Sequence, residues 1–163
     1  MDGVLEKNAV KRVKQALIDN GLDTEITVLT DSARSAAEAA SALGIKVGQI
    51  ASSIIFKFSD HKPLLVITSG QHRVDTELVA SQLGVEKLER VDADFVKESS
   101  GFSIGGVAPI GWINPPAVVI LDKALGDFDV VWAAAGHPHA VFPTSFSDLK
   151  YLTNATVFEV GVK

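Results

Sequence analysis

The chain has 163 residues and a formal net charge of −5, a length suited to one domain that buries roughly 70% of its unfolded surface without staples. Cysteine is absent, which excludes a disulfide framework and a thiolate zinc site and fits a reducing compartment. The acidic balance argues against a nonspecific duplex-DNA binder but not against a protein that grips only a nucleic-acid end, where few phosphates are met. No run reaches the roughly 18 apolar residues of a membrane span, and the opening MDGVLEKNAVKRVKQ lacks the apolar stretch of a signal peptide.

Residues 4–20 read as a helix, with Val10, Val13 and Leu17 on one stripe and Lys7, Lys11 and Lys14 on a neighbouring face. Glu25–Leu29 alternates and is β-branched, so a strand is expected. Asp31 or Ser32 is the expected cap of an alanine-rich helix running to about Leu43. Three helical patterns stop in the same way, at Gly21-Leu22, Gly44-Ile45 and Gly84-Val85. Glycine followed by an apolar residue predicts a left-handed helix end with a hydrophobic return contact.

IASSIIFKF (50–58) and PLLVITS (63–69) are strand-like runs joined by a short polar turn, which predicts an antiparallel hairpin. Alternation puts Ile54, Phe56 and Phe58 on one face and Ser53, Ile55 and Lys57 on the other. Asp75 is the expected cap of a helix through Leu83. A short strand near Leu88–Val91 and a helical turn over Asp92–Glu98 follow. Beyond them, strands are expected at 117–121, 130–134, 139–142 and 156–160, with a short helix at Ser145–Tyr151. No linker or low-complexity stretch divides the chain, so residues 1–163 are expected to form one domain. Helix and strand alternate in the first half and strands dominate the second, which predicts α+β with a mixed, partly barrel-like sheet and flanking helices.

Gly101-Phe-Ser-Ile-Gly-Gly-Val-Ala-Pro-Ile-Gly111 holds four glycines and a proline in eleven residues. Such a stretch is a shaped loop whose bare backbone can meet an anion or a carbonyl oxygen. It is neither a P-loop, since no Gly-Lys-Ser/Thr follows, nor a dinucleotide fingerprint; a tight connection between strands is the plain alternative. Lys57 is the second candidate: either a cation facing a cleft or an edge-strand lysine in solvent. His137-Pro-His139 has a spacing that metal ligands use, but no third ligand is fixed beside it, and no metal or other cofactor is expected. His72 and Arg73 precede a helix where a phosphate could dock, although a capped helix with Arg73 paired to Asp75 or a neighbour is the favoured reading. No nucleophile elbow or paired-carboxylate constellation stands out.

Taken together, Ile-Ile-Phe-Lys57, then Gly105-Gly-Val-Ala-Pro109-Ile-Gly111, then Val131-Trp-Ala-Ala-Ala-Gly136-His-Pro-His139 resemble the YbaK/EbsC family, which is similar to the editing (insertion) domain of bacterial prolyl-tRNA synthetases. The likeness spans roughly residues 25–160. It implies an α+β domain with a large mixed sheet. The implied activity is that of a freestanding, cytoplasmic aminoacyl-tRNA deacylase that hydrolyses mischarged tRNA in trans. Its partners would be the 3′ CCA end of tRNA and possible association with an aminoacyl-tRNA synthetase, with no membrane and no duplex DNA. By position, Lys57 matches the family lysine of the editing pocket. Gly105 and Pro109 match the Gly-x-x-x-Pro loop, and Gly111 closes that motif. Gly136 and His139 match the late-strand motif. Phe58 stands where the alanine-specific branch carries an asparagine, so that branch is not implied.

The resemblance and the residues suggest one division of labour. Lys57, Gly105, Pro109 and Gly111 form the catalytic set, and Gly106, Gly136 and His139 bind substrate. Loop amides would hold the oxyanion, each such donor being worth on the order of 10²–10³ in rate, and Lys57 would hold the terminal phosphate or ribose. The alternative expectation, from the same anion-friendly loop and the missing side-chain nucleophile, is a non-catalytic module that binds a nucleotide or RNA end.

Overall fold

The computed structural model describes residues 3–31 and 33–162. The helical stretch of 4–20 forms two pieces, a 3-10 turn at Val4–Glu6 and helix α1 at Asn8–Asp19, with extended Lys7 between them. α1 buries Val10, Val13 and Leu17, the apolar stripe of the sequence. Strand β1 keeps only Thr27–Val28 of the alternating run. Helix α2 spans Ala36–Leu43, and its cap is Ser35 rather than Asp31. Ser35 Oγ accepts from the Glu38 N–H and Glu38 Oε1 from the Ser35 N–H, both at 3.1 Å. This reciprocal box satisfies two orphan amides, which a lone aspartate at 31 could not do. Ser32, the other expected cap, lies outside the described residues.

Strands β2 (Ile50–Lys57) and β3 (Pro63–Ser69) form the expected antiparallel hairpin, in register from Ala51↔Ser69 to Lys57↔Pro63. The stretch after it is not a plain turn: Arg73–Val74 is a short strand, β4. Helix α3 (Thr76–Leu83) is capped by Asp75 as expected, with Leu78 N–H donating to its carboxylate at 3.1 Å. Then come β5 (Glu89–Arg90), helix α4 (Ala93–Ser100), β6 (Val118–Asp122), β7 (Val131–His137), β8 (Ala140–Thr144), helix α5 (Phe146–Thr153), β9 (Thr156–Phe158) and β10 (Gly161–Val162). All three glycine stops behave alike. Gly21, Gly44 and Gly84 have φ of 77°, 68° and 74°. The apolar residues after them, Leu22, Ile45 and Val85, donate to the carbonyls of Leu17, Ala40 and Ala80 at 3.0 Å.

The fold is α+β around a mixed eight-stranded sheet in the order β1-β8-β7-β2-β3-β6-β9, with β5 also on β2; β4 and β10 make a separate two-stranded ribbon. The β2/β7, β3/β6 and β6/β9 pairs are parallel and the others antiparallel. The order is an open path from β1 to β9. Both faces of β3 are covered, which is why PLLVITS reads as an unbroken apolar run. Leu65 and Ile67 join Val13, Phe102 and Phe142 on one side; Leu64 and Val66 join Val79 and Ile120 on the other.

One break in this sheet positions the site. On the side away from β3, β2 pairs with β7 only through Ile50 and Ala51, and with β5 only through Phe56 and Lys57. The residues between, Ser52–Ile55, have a strand partner on the β3 side alone. Parallel β7 and antiparallel β5 therefore diverge from β2 like the arms of a fork, and the strand edge between them carries main-chain donors and acceptors with no ladder to join.

Candidate active site

A cavity of about 430 Å³ occupies this fork. β2 supplies its floor through Ser52, Ser53 and Ile55; β7 supplies Trp132 and Ala134; Arg34 and Arg90 stand on its walls. The walls are mostly apolar, and among the described residues no carboxylate lines them. Among the described residues neither arginine has a carboxylate partner. Ser53 Oγ is buried and has no hydrogen-bond partner among the described residues. A buried hydroxyl left unpaired costs about 1–3 kcal/mol, so its position in a cavity wall marks a place where a ligand atom belongs.

The glycine stretch closes the cavity from above. Ile104, Gly105 and Val107 line it. Gly105 has φ of 94°, and a Cβ there would lie 3.1 Å from Arg34 Cγ and 3.6 Å from Pro138 Cγ; the position needs glycine for its conformation and for its close neighbours. A Cβ on Gly106 would meet the His137 backbone at 2.8 Å, so the loop rests directly on the end of β7. The Gly106 N–H is spent within the loop, donating to Ser103 at 3.0 Å. The N–H groups of Gly105 and Val107 have no acceptor among the described residues, which leaves two amides on cavity-lining residues available to an oxygen.

Gly111 and Pro109 do not line the cavity. Pro109 is buried, and Gly111, with φ of 78°, lets the chain pass α1, where a Cβ would come within 3.1 Å of the Val13 backbone. Gly136 has the same kind of duty. It lies in the β7 bulge between Ala134 and His137, has φ of 96°, and would place a Cβ 2.9 Å from the Ala9 carbonyl. Gly111 thus seats the loop, and Gly136 the end of β7, against α1 behind the cavity.

Lys57 does not itself line the cavity. Phe56 beside it on β2 does, as do Arg90 on neighbouring β5 and Val91 just after it. Lys57 therefore stands at the end of the cavity, on the β2 face of Ser53 and Ile55. Its Nζ sits 5.6 Å from the centre of the Phe95 ring, a cation–π contact on α4.

His139 donates from Nδ1 to the Leu29 carbonyl at 3.0 Å and so ties β8 to the end of β1. Its own N–H donates to His137 Nδ1 at 3.0 Å, and the rings stand 5.5 Å apart. The His137 pKa lies below the ordinary histidine value: burial disfavours its charged form, and His139, Lys7 and Arg34 repel a proton in addition. Among the described residues no three His, Cys, Asp or Glu side chains gather to hold a metal. His72 is directed inward, with Nδ1 2.8 Å from Asp122 Oδ2; the same carboxyl accepts from the Ser69 and Ala124 N–H groups at 2.9 Å. This node fastens β3 to β6.

Four residues that matter here carry no motif. Arg34 and Arg90 are single arginines in loop and strand-end positions. Arg12 hides among the lysines of α1, yet donates to the loop carbonyls of Gly111 and Gly101. Ser53 did leave a signal: Ser52-Ser53 is a polar pair inside IASSIIFKF, as conspicuous in an apolar strand as Lys57.

Comparison with known proteins fits this geometry. The model of the aminoacyl-tRNA editing domain matches residues 30–152. The uncharacterised protein YwhH of Bacillus subtilis is 24% identical over 150 residues, 92% of this chain and 94% of YwhH. A proline–tRNA ligase of Limosilactobacillus fermentum is 32% identical over 110 residues, 64% of this chain but 19% of the ligase, so the chain corresponds to one portion of that enzyme. The crystal structure of a proposed trans-editing enzyme for prolyl-tRNA synthetase superposes with a TM-score of 0.88 at 34% identity, covering 96% of this chain and 99% of the other. The chain belongs to the aminoacyl-tRNA editing domain family, and within it to the YbaK type.

Proposed function

We propose that the protein is a freestanding deacylase that hydrolyses the ester of a mischarged tRNA in trans, with a small amino acid held in the fork between β7 and β5. The observation that carries this reading is the cavity itself: an interrupted strand edge with an unpartnered Ser53 hydroxyl, roofed by a loop whose Gly105 and Val107 amides are free. Similarity to proline–tRNA ligases and to a proposed trans-editing enzyme favours tRNA charged in error by prolyl-tRNA synthetase.

The chemistry asks little of side chains. Water attacks the ester carbonyl carbon, the carbonyl oxygen becomes an oxyanion held by the Gly105 and Val107 amides, the carbon–oxygen bond to the ribose breaks, and the ribose oxygen takes the proton. Each well-placed amide contributes on the order of 10²–10³ in rate. The substrate's own amino group or free ribose hydroxyl assists the water. Gly106 allows the roof to sit close to β7, Gly136 lets β7 pass close to α1, Pro109 and Gly111 hold the loop's shape, and His139 steadies the β1 edge. Lys57 borders the end of the cavity beside Phe56 and in this reading steadies α4 through Phe95 rather than holding the oxyanion.

The test is a panel of tRNAs charged with Ala, Ser, Thr, Cys and Pro. Release of at least one amino acid, faster than in buffer, is expected; stability of every member in the protein's presence contradicts the reading. Among the described residues no histidine or carboxylate lines the cavity beside Ser53, and this favours a second reading, a module that binds an RNA 3′ end without turnover. Tight binding of uncharged tRNA with no hydrolysis on the panel would select it.

A further inference from the structure

We infer that the RNA strand leading to the cavity runs over one particular rim, formed by Arg34, Lys7 and His137, with its phosphates on Arg34 and Lys7. This deepens the deacylase reading and rests on it for the identity of the strand. The rim is assembled from three separate elements. Arg34 precedes α2, lines the cavity and lies against Gly105 in its roof. His137 ends β7, and the His137 backbone lies under Gly106. Lys7 sits at the start of α1, two residues before Ala9, whose carbonyl backs Gly136. Arg34 and Lys7 are exposed, and among the described residues neither pairs with a carboxylate.

The surroundings favour an anion here over the opposite wall. Among the described residues the charged groups that act on His137 are all basic: His139, Lys7 and Arg34. Of the acids nearest in sequence, Glu38 is engaged at the Ser35 amide, and neither Glu6 nor Asp31 acts on His137. Arg90, across the cavity, is flanked instead by Glu89, Asp92 and Asp94. A chain with net charge −5 thus concentrates basic groups at one edge of the cavity, where a few phosphate contacts are enough to guide a single strand to its end.

The experiment uses a single-stranded RNA oligonucleotide ending in CCA, uncharged, with binding followed by fluorescence anisotropy over a range of salt concentrations. The wild type is expected to bind with affinity that falls as salt rises. Arg34→Ala and Lys7→Ala should each weaken binding several-fold and flatten the salt slope by roughly 0.7, the amount of one lost single-strand phosphate contact. Lys150→Ala, on the exposed face of α5, should change neither. Unaltered affinity and slope in Arg34→Ala and Lys7→Ala, an equal loss in Lys150→Ala, or no binding by the wild type overturns the inference. The outcome is separable from that of the deacylase reading. If the wild type hydrolyses charged tRNA but the two rim variants hydrolyse it with unchanged KM, the rim is wrong and the enzyme stands. If the rim variants lose oligonucleotide binding while no ester is cleaved, the rim stands and the deacylase fails.

Discussion

Arg12 and Gly111 are 99 residues apart in sequence and joined by a hydrogen bond, Arg12 Nε donating to the Gly111 carbonyl at 3.1 Å. The same guanidinium reaches the other end of the glycine loop, with Nη2 3.2 Å from the Gly101 carbonyl, and stacks 5.1 Å from the centre of the Phe102 ring. One side chain of α1 thus pins both feet of the cavity roof. Hydrogen bonds to a charged group are worth about 1.5–3 kcal/mol. Arg12→Ala is therefore expected to lower unfolding free energy by about that amount and to reduce hydrolysis. Arg12→Lys should restore little, because an ammonium cannot span two carbonyls as the planar fork does. Urea unfolding and deacylation rates check both.

Ser53 gives the opposite relation between stability and activity. Removing a buried, unpartnered hydroxyl removes a cost of about 1–3 kcal/mol. Ser53→Ala is expected to melt no lower than wild type while hydrolysing aminoacyl-tRNA at least several-fold more slowly. A variant that is destabilised, or fully active, shows that the hydroxyl does not wait for substrate. Such inverse behaviour is typical of groups kept for function at the expense of stability.

Lys57 separates the reading from sequence motifs and the reading from geometry. Its Nζ lies over Phe95, outside the cavity wall. Lys57→Ala is expected to retain hydrolysis within a few-fold and to cost about 0.5–1 kcal/mol, the worth of an exposed cation–π contact. Loss of nearly all activity with the fold intact would bring Lys57 back to the reacting ester.

The hairpin, the helix ends and the glycine loop were legible because each rests on local chemistry. Left-handed glycines, aspartate and serine caps and period-two alternation are all written within a few residues. The fork in the sheet was not legible. It depends on which distant strand pairs with each half of β2, and Ala51↔Ala133 and Phe56↔Arg90 leave no mark at residues 52–55 beyond two serines. That Lys57 stands just past the lined stretch of β2 has the same origin. Alternation assigns a face, and it does not say how far along that face the cavity extends. Arg12 escaped notice for a different reason: on a helix bearing Lys7, Lys11 and Lys14, one more cation reads as solvated surface until the loop beneath it is in place.

His137 makes stability depend on pH. Its folded pKa is lowered from 6.5, first by burial and then by His139, Lys7 and Arg34. Between the folded pKa and 6.5 the unfolded chain holds the proton more tightly, so stability rises with pH across that interval and levels off above it. As pH falls through 6.5 the contribution is lost progressively. Urea unfolding from about pH 5 to pH 8 should show this slope in the wild type and a smaller one in His137→Gln. Equal slopes would mean that His137 titrates alike in both states.

The most direct measurement compares release of the amino acid from a mischarged tRNA by the wild type and by Ala134→Phe, a substitution that fills the fork from β7. The wild type is expected to release at least one amino acid of the panel. Ala134→Phe, confirmed as folded by circular dichroism, is expected to release it at least about a hundredfold more slowly, the loss of one aligned oxyanion donor being of that order. Undiminished hydrolysis by the folded Ala134→Phe variant would contradict the placement of the reaction in the fork between β7 and β5.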